Sequence, residues 1–173
     1  MRRLFLFAWL SVTGLAAACG ADVALIPQPA SLQVGEGQFR LTADTQVGAA
    51  GLSKVQYCLL PKDQPLPADD PYLTRAEWRD AEILPPPEHW GGGLPEGRLP
   101  PVPAQFSADG RPLAWPLRNA IAHWAALLTA PAAGQYELCC RTIDANGTAQ
   151  PLPRPLPKSG RNELQRVPVT VEA

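Results

Sequence analysis

The chain has 173 residues, 46% of them hydrophobic and 18% charged, which is room for one globular domain of ordinary composition but not for two enzyme-sized lobes. Gly and Pro number 14 and 21, about a fifth of the chain, which weighs against a helical protein and toward short strands and loops. A formal net charge of −1 supplies no clustered positive field, so nucleic acid is excluded as an expected partner.

Residues 1–18 read as an export signal: Arg2 and Arg3, an apolar stretch from Leu4 to Val12, then small residues to Ala18. The stretch is too short to span a bilayer permanently. Leu15-Ala16-Ala17-Ala18 before Cys19 resembles the bacterial lipobox, in which the cysteine is lipidated; Ala16 stands where that motif usually has Leu. Cleavage after Ala16 to Ala18 is the alternative. Either route gives an exported protein that is periplasmic, extracellular or anchored by a lipid on Cys19. Losing residues 1–18 removes Arg2 and Arg3 and no acid, leaving a net charge of −3.

Within residues 22–47, Leu32, Val34, Phe39 and Leu41 alternate around Gly35-Glu36-Gly37, the pattern of a short hairpin. Gly48 to Gly51 reads as a joint. Leu52 to Leu60 is a candidate strand with Val55 and Tyr57 on one face, ended by Pro61. Pro61 to Pro71 forms a surface excursion with Asp69 and Asp70 as solvated charges, and Trp78 to Leu84 is a further strand anchored by Trp78 and Ile83. Prolines from Pro85 to Pro103, with Gly91-Gly92-Gly93, specify a long loop, and Asp109-Gly110-Arg111-Pro112 a turn. Asn119 to Leu128 is ambiguous, because its alanines favour helix while Ile121, His123, Ala125 and Leu127 alternate with Trp124. Gly134 to Asp144 is the clearest strand, with Tyr136, Leu138 and Cys140 inward and a turn at Asp144-Ala145-Asn146-Gly147. Pro151, Pro153, Pro155 and Pro157 form a polyproline-like run before a last strand from Leu164 to Val171. Short strands, turns and proline-rich crossovers together specify an all-β fold, a β-sandwich with long proline-rich loops.

Beyond Cys19 the cysteines are Cys58, Cys139 and Cys140, without zinc or redox-motif spacing. Adjacent side chains of a strand point to opposite faces, so Cys139 and Cys140 cannot enter the same core, and Cys140 is expected to be the buried one. Either Cys140 is a small core residue or Cys58 forms a disulfide with one of the two neighbours, which export permits. His89 and His123 have no accompanying nucleophile elbow and read as structural residues. Glu36 reads as a solvated loop charge, Gly91-Gly92-Gly93 as a hinge, and Asn146-Gly147-Thr148 as a turn rather than a glycosylation acceptor.

Val55-x-Tyr57, Trp78-x-x-Ala81-Glu82-Ile83, Trp115-Pro116, Trp124, Gly134-x-Tyr136-Glu137-Leu138, Arg141-Thr142-Ile143-Asp144-x-x-Gly147-x-x-Gln150-Pro151 and Lys158-Ser159-Gly160-x-Asn162 run in one order along the chain. Over residues 52–173 this pattern resembles the C-terminal dimerisation domain of the sulfite oxidase family of molybdopterin enzymes. The resemblance implies an immunoglobulin-like sandwich, a strand at Asn119 to Leu128, and a homodimer or a molybdopterin-containing subunit as partner. It implies no catalytic residue, metal ligand or cofactor-binding residue in this chain, because that family's catalytic domain has no counterpart before Val55; molybdopterin would be met only through a separate subunit. Leu25-Ile26-Pro27-Gln28-Pro29 and Gly35-x-Gly37-x-Phe39-x-Leu41, within 22–47, resemble the opening of the non-catalytic N-terminal domain of family 20 β-hexosaminidases. That resemblance implies carbohydrate association as the alternative function, with Trp90 and Trp115 available to stack on sugars.

Overall fold

The computed structural model describes residues 24–25, 32–35, 37–86, 106–107, 111–150 and 164–172. The described residues form an all-β fold without helix. Its strands are β1 (Ala24–Leu25), β2 (Leu32–Val34), β3 (Gln38–Gln46), β4 (Leu52–Pro61), β5 (Arg79–Ile83), β6 (Ile121–Thr129), β7 (Gly134–Asp144), β8 (Ala149–Gln150) and β9 (Gln165–Val171). They follow one path of hydrogen-bonded neighbours, β1-β3-β6-β5-β4-β7-β9-β2, with β8 added beside β7.

The path bends at β5. Arg79, Asp80 and Ala81 pair with Tyr57, Gln56 and Val55 of β4, whereas Glu82 and Ile83 pair with Ala125 and Trp124 of β6. Five residues therefore join two wings, β1-β3-β6 and β4-β7-β9-β2. Both wings are dominated by antiparallel ladders: nine consecutive rungs hold β3 to β6, and β4 meets β7 from Leu52↔Asp144 to Pro61↔Tyr136 with one irregularity between Leu52 and Lys54. Gly51, with φ of 86°, turns the chain into β4 and donates its N–H to the Gly48 carbonyl at 3.1 Å, so the joint expected at Gly48 to Gly51 is present.

Alternation along the strands builds the core between the wings. Ala43 of β3 and Ala122, Trp124, Ala126 and Leu128 of β6 face Val55 and Tyr57 of β4, Leu138 and Cys140 of β7, and Val167, Val169 and Val171 of β9. Trp124 is fully buried and is the largest side chain there, surrounded by small alanines that leave space for its ring. The core admits a few polar groups: Thr45 and Thr142 are also fully buried. Asn119 to Leu128 is thus resolved as strand, observed as Ile121–Thr129, and the strands expected at Leu52 to Leu60, Trp78 to Leu84, Gly134 to Asp144 and Leu164 to Val171 are all present.

Three expectations need correction. The segments flanking Gly35-Glu36-Gly37 do not form a hairpin: β2 pairs in parallel with β9, and β3 pairs with β6. Local alternation specifies the strands, but partners 75 or more residues away satisfy their edges. Cys140 is not the only buried cysteine of its pair, because Cys139, on the opposite face of β7, is equally inaccessible under a second apolar cluster. Asp70 is not a solvated charge; it is 5% exposed and organises a turn. The polyproline-like run, the long loop beyond Pro86 and the signal segment lie outside the described residues.

Filling the inter-wing core with one indole makes a graded prediction. Trp124→Ala should cost about 3–5 kcal/mol and Trp124→Phe, which keeps most of the ring, much less, as read from urea denaturation midpoints. Equal, small losses for both would contradict the placement of Trp124.

Candidate functional site

Two surfaces concentrate polar and reactive side chains, one on each wing, both built by outward positions of the strands. On the β4-β7 wing, Cys58 and Cys139 occupy the same rung of the ladder. They point away from the main core into a second cluster with Leu73 and Leu164, packed against Leu60, Leu66, Ala76 and Trp78. Residues 61–78 therefore cover the outer side of β4 and β7. Cys140 faces the main core. All three thiols are free and buried.

The cover is fastened by Asp70. Its Oδ1 accepts from the Thr74 N–H and the Thr74 hydroxyl, both at 2.8 Å, and its Oδ2 from the Arg75 N–H at 3.1 Å. The backbone N–H of Thr74, more than any other partner, holds the Asp70 carboxyl below the ordinary value of 3.8. Trp78 donates its indole N–H to the Leu73 carbonyl at 2.7 Å, closing the far end of the same loop. The Arg141 guanidinium lies over the Trp78 ring, 4.2 Å from its centroid, and its Nε donates to Gln56 Oε1 at 2.9 Å. Gln56 Nε2 and Lys54 Nζ in turn donate to the two oxygens of Asp80, each at 2.7 Å, and Lys54 leads the causes that lower the Asp80 pKa.

Electrostatics separate the three thiols. A hydrogen bond from the Cys139 S–H lowers the Cys58 pKa, with the positive charge of Arg141 as a smaller contribution. The same bond, in which Cys139 is donor, and burial both raise Cys139. Burial raises Cys140. Of the three thiols, Cys58 alone is shifted downward.

On the other wing, Asp44 of β3 and His123 of β6 share a rung, and Asp44 Oδ1 bonds His123 Nδ1. Along the same face of β6 stand Ile121 and Leu127, 59% and 60% exposed, opposite Gln46 and Arg40. Near the end of β7, Pro61, Lys62, Asp63, Gly134, Gln135 and Tyr136 line a shallow, open depression.

Of the residues singled out in the sequence, Cys58 and Cys139 come together, Cys140 lies on the other side of the sheet, and His123 joins Asp44. Trp115 is half-buried, with its indole N–H donating to the Leu84 carbonyl at 2.8 Å. Asn146 and Thr148 lie in the expected turn, where their N–H groups both donate to Asp144 Oδ1. Cys19, Glu36, His89, Trp90 and Gly91-Gly92-Gly93 lie outside the described residues. Among the described residues no three His, Cys, Asp or Glu side chains converge as metal ligands, and Cys58, Cys139 and Cys140 face apolar clusters. The sequence reading missed Asp44 as the partner of His123, 79 positions away, and Asp70 as the organiser of its turn; only the latter had a local signal, an Asp followed by Thr four residues on. A scan against protein-family models and a search of curated proteins find no match to the chain.

The depressed Asp70 carboxyl fixes the sign of an acid effect. Its contribution is complete above 3.8, the ordinary value, and is lost as pH falls through the lower value of the folded state. The urea midpoint of the native chain should fall below that pH, whereas Asp70→Asn should start lower at neutral pH and decline less steeply. Parallel curves for the two proteins would contradict a role for the carboxylate in holding the cover.

Proposed function

We propose that the chain is a non-catalytic, exported association module: an immunoglobulin-like β-sandwich that pairs with a second copy of itself, with a molybdopterin-containing subunit as the alternative partner. The leader and Cys19 supply the export reading. The two wings around Trp124, together with the residue pattern shared with the sulfite oxidase family over 52–173, support the sandwich and the non-catalytic role.

The observation that carries the association reading is the outer face of β3 and β6. Ile121 and Leu127 stand exposed on either side of the Asp44–His123 pair, so apolar area is left in water where an alternating strand normally presents polar side chains. The face also holds both signs of charge, Arg40 opposite Leu127 and Asp44 opposite His123. A two-fold axis through such a face brings Arg40 of one copy toward Asp44 of the other and stacks the apolar positions, the self-complementarity that an isologous dimer needs.

Light scattering coupled to size exclusion tests this on the exported chain. A dimer mass is expected for the native protein and a monomer mass for Leu127→Asp, whose substitution is at an exposed position and leaves the core intact. A native protein that is monomeric at every concentration, or a Leu127→Asp variant that still dimerises, would overturn the reading.

A further inference from the structure

We infer that Cys58 and Cys139 are a modification site, a pair of thiols placed to close into a cross-strand disulfide that ties β4 to β7 beneath the 61–78 cover. The inference stands on register and burial and is independent of the association reading above.

Four observations carry it. The two cysteines are directly opposite on adjacent antiparallel strands. The rung type follows from the ladder: Lys62 N–H donates to the Gln135 carbonyl at 3.0 Å, and counting back by alternation makes Cys58 and Cys139 a hydrogen-bonded pair. Pro61, which has no N–H, falls on the intervening rung where β7 requires none. A hydrogen-bonded pair has Cα atoms about 5.5 Å apart, inside the range that a disulfide spans. Both side chains leave the sheet on the same face and enter the same small cluster. Cys140 is ruled out as the partner of Cys58, because it faces the main core through the other side of the sheet.

Closure is thiol–disulfide exchange with a small-molecule disulfide such as oxidised glutathione. The Cys58 thiolate attacks one donor sulfur, forming a mixed disulfide and releasing one glutathione thiolate. Cys139 then loses its proton to solvent and attacks the Cys58 sulfur, and the second glutathione leaves as thiolate. Two protein thiols are oxidised and one donor disulfide is reduced to two thiols. Both sulfurs are buried, so the donor gains access during folding or when the cover fastened by Asp70 lifts. Opposed Cβ atoms on such a rung are about 5 Å apart and a relaxed disulfide holds them at about 4 Å, so the closed bond draws the strands together and is readily reduced.

The full chain is refolded with oxidised glutathione, its remaining thiols are blocked with N-ethylmaleimide in denaturant, and the digest is read by fragmentation mass spectrometry. The expected product joins the Cys58 and Cys139 peptides with the loss of two hydrogens, and Cys140 carries the maleimide. Cys140→Ala, which removes only a small core thiol, should give the same link, and Cys139→Ser should leave Cys58 blocked by maleimide. Maleimide on both Cys58 and Cys139 of the refolded native chain, or a link from either to Cys140 or Cys19, overturns the inference.

Discussion

The ladder between β4 and β7 is the constraint on which the other elements depend, because both of its faces are buried. One face turns Val55, Tyr57, Leu138 and Cys140 toward the Trp124 core; the other turns Cys58 and Cys139 under the 61–78 cover. A strand buried on two sides tolerates no slip, since moving β7 by one residue would exchange the contents of the two clusters and bring Glu137 and Arg141 toward the main core. The remaining elements attach to this ladder: β9 along the free edge of β7, β5 along that of β4, and the cover across its outer face.

The bend at β5 converts that ladder into an enclosed interior. Its first residues pair with β4 and its last with β6, so it links the ladder to β3-β6, and Trp124 packs in one cluster with Val55, Leu138 and Val169. Burying an aromatic ring and its aliphatic neighbours is worth about 1.5–3 kcal/mol per large side chain, whereas exposed ion pairs such as Lys54–Asp80 contribute at most about 1 kcal/mol. The apolar interior thus decides the fold. The polar chain from Arg141 through Gln56 to Asp80 orients side chains at its outer surface.

How far the sequence disclosed this depended on how local each signal was. The strands at Leu52–Pro61 and Gly134–Asp144 were legible from alternation and from their flanking Pro61 and Asp144-to-Gly147 turn. Asn119 to Leu128 is ambiguous by periodicity because Ala122, Ala125 and Ala126 suit a helix; in the fold Ala122 and Ala126 make room beside Trp124. The partners of β2 and β3 were illegible, since a hairpin and a long-range pairing present the same alternation. The burial of Cys139 is illegible for a related reason. Alternation shows that it leaves the sheet opposite Cys140, but not that Leu66, Leu73 and Trp78 return to cover that face. Asp44 and His123 gave no sign of their pairing, because nothing within either strand records the register between them.

The two buried clusters and the thiol pair all depend on the rung at which Cys58 meets Cys139, and nuclear Overhauser contacts between Hα protons read that rung directly. Such contacts are strong only across non-hydrogen-bonded pairs, where the Cα atoms lie closer. The account predicts them between Tyr57 and Cys140 and between Leu59 and Leu138, with none between Cys58 and Cys139. Contacts displaced by one residue, placing Cys58 opposite Leu138 or Cys140, would contradict it.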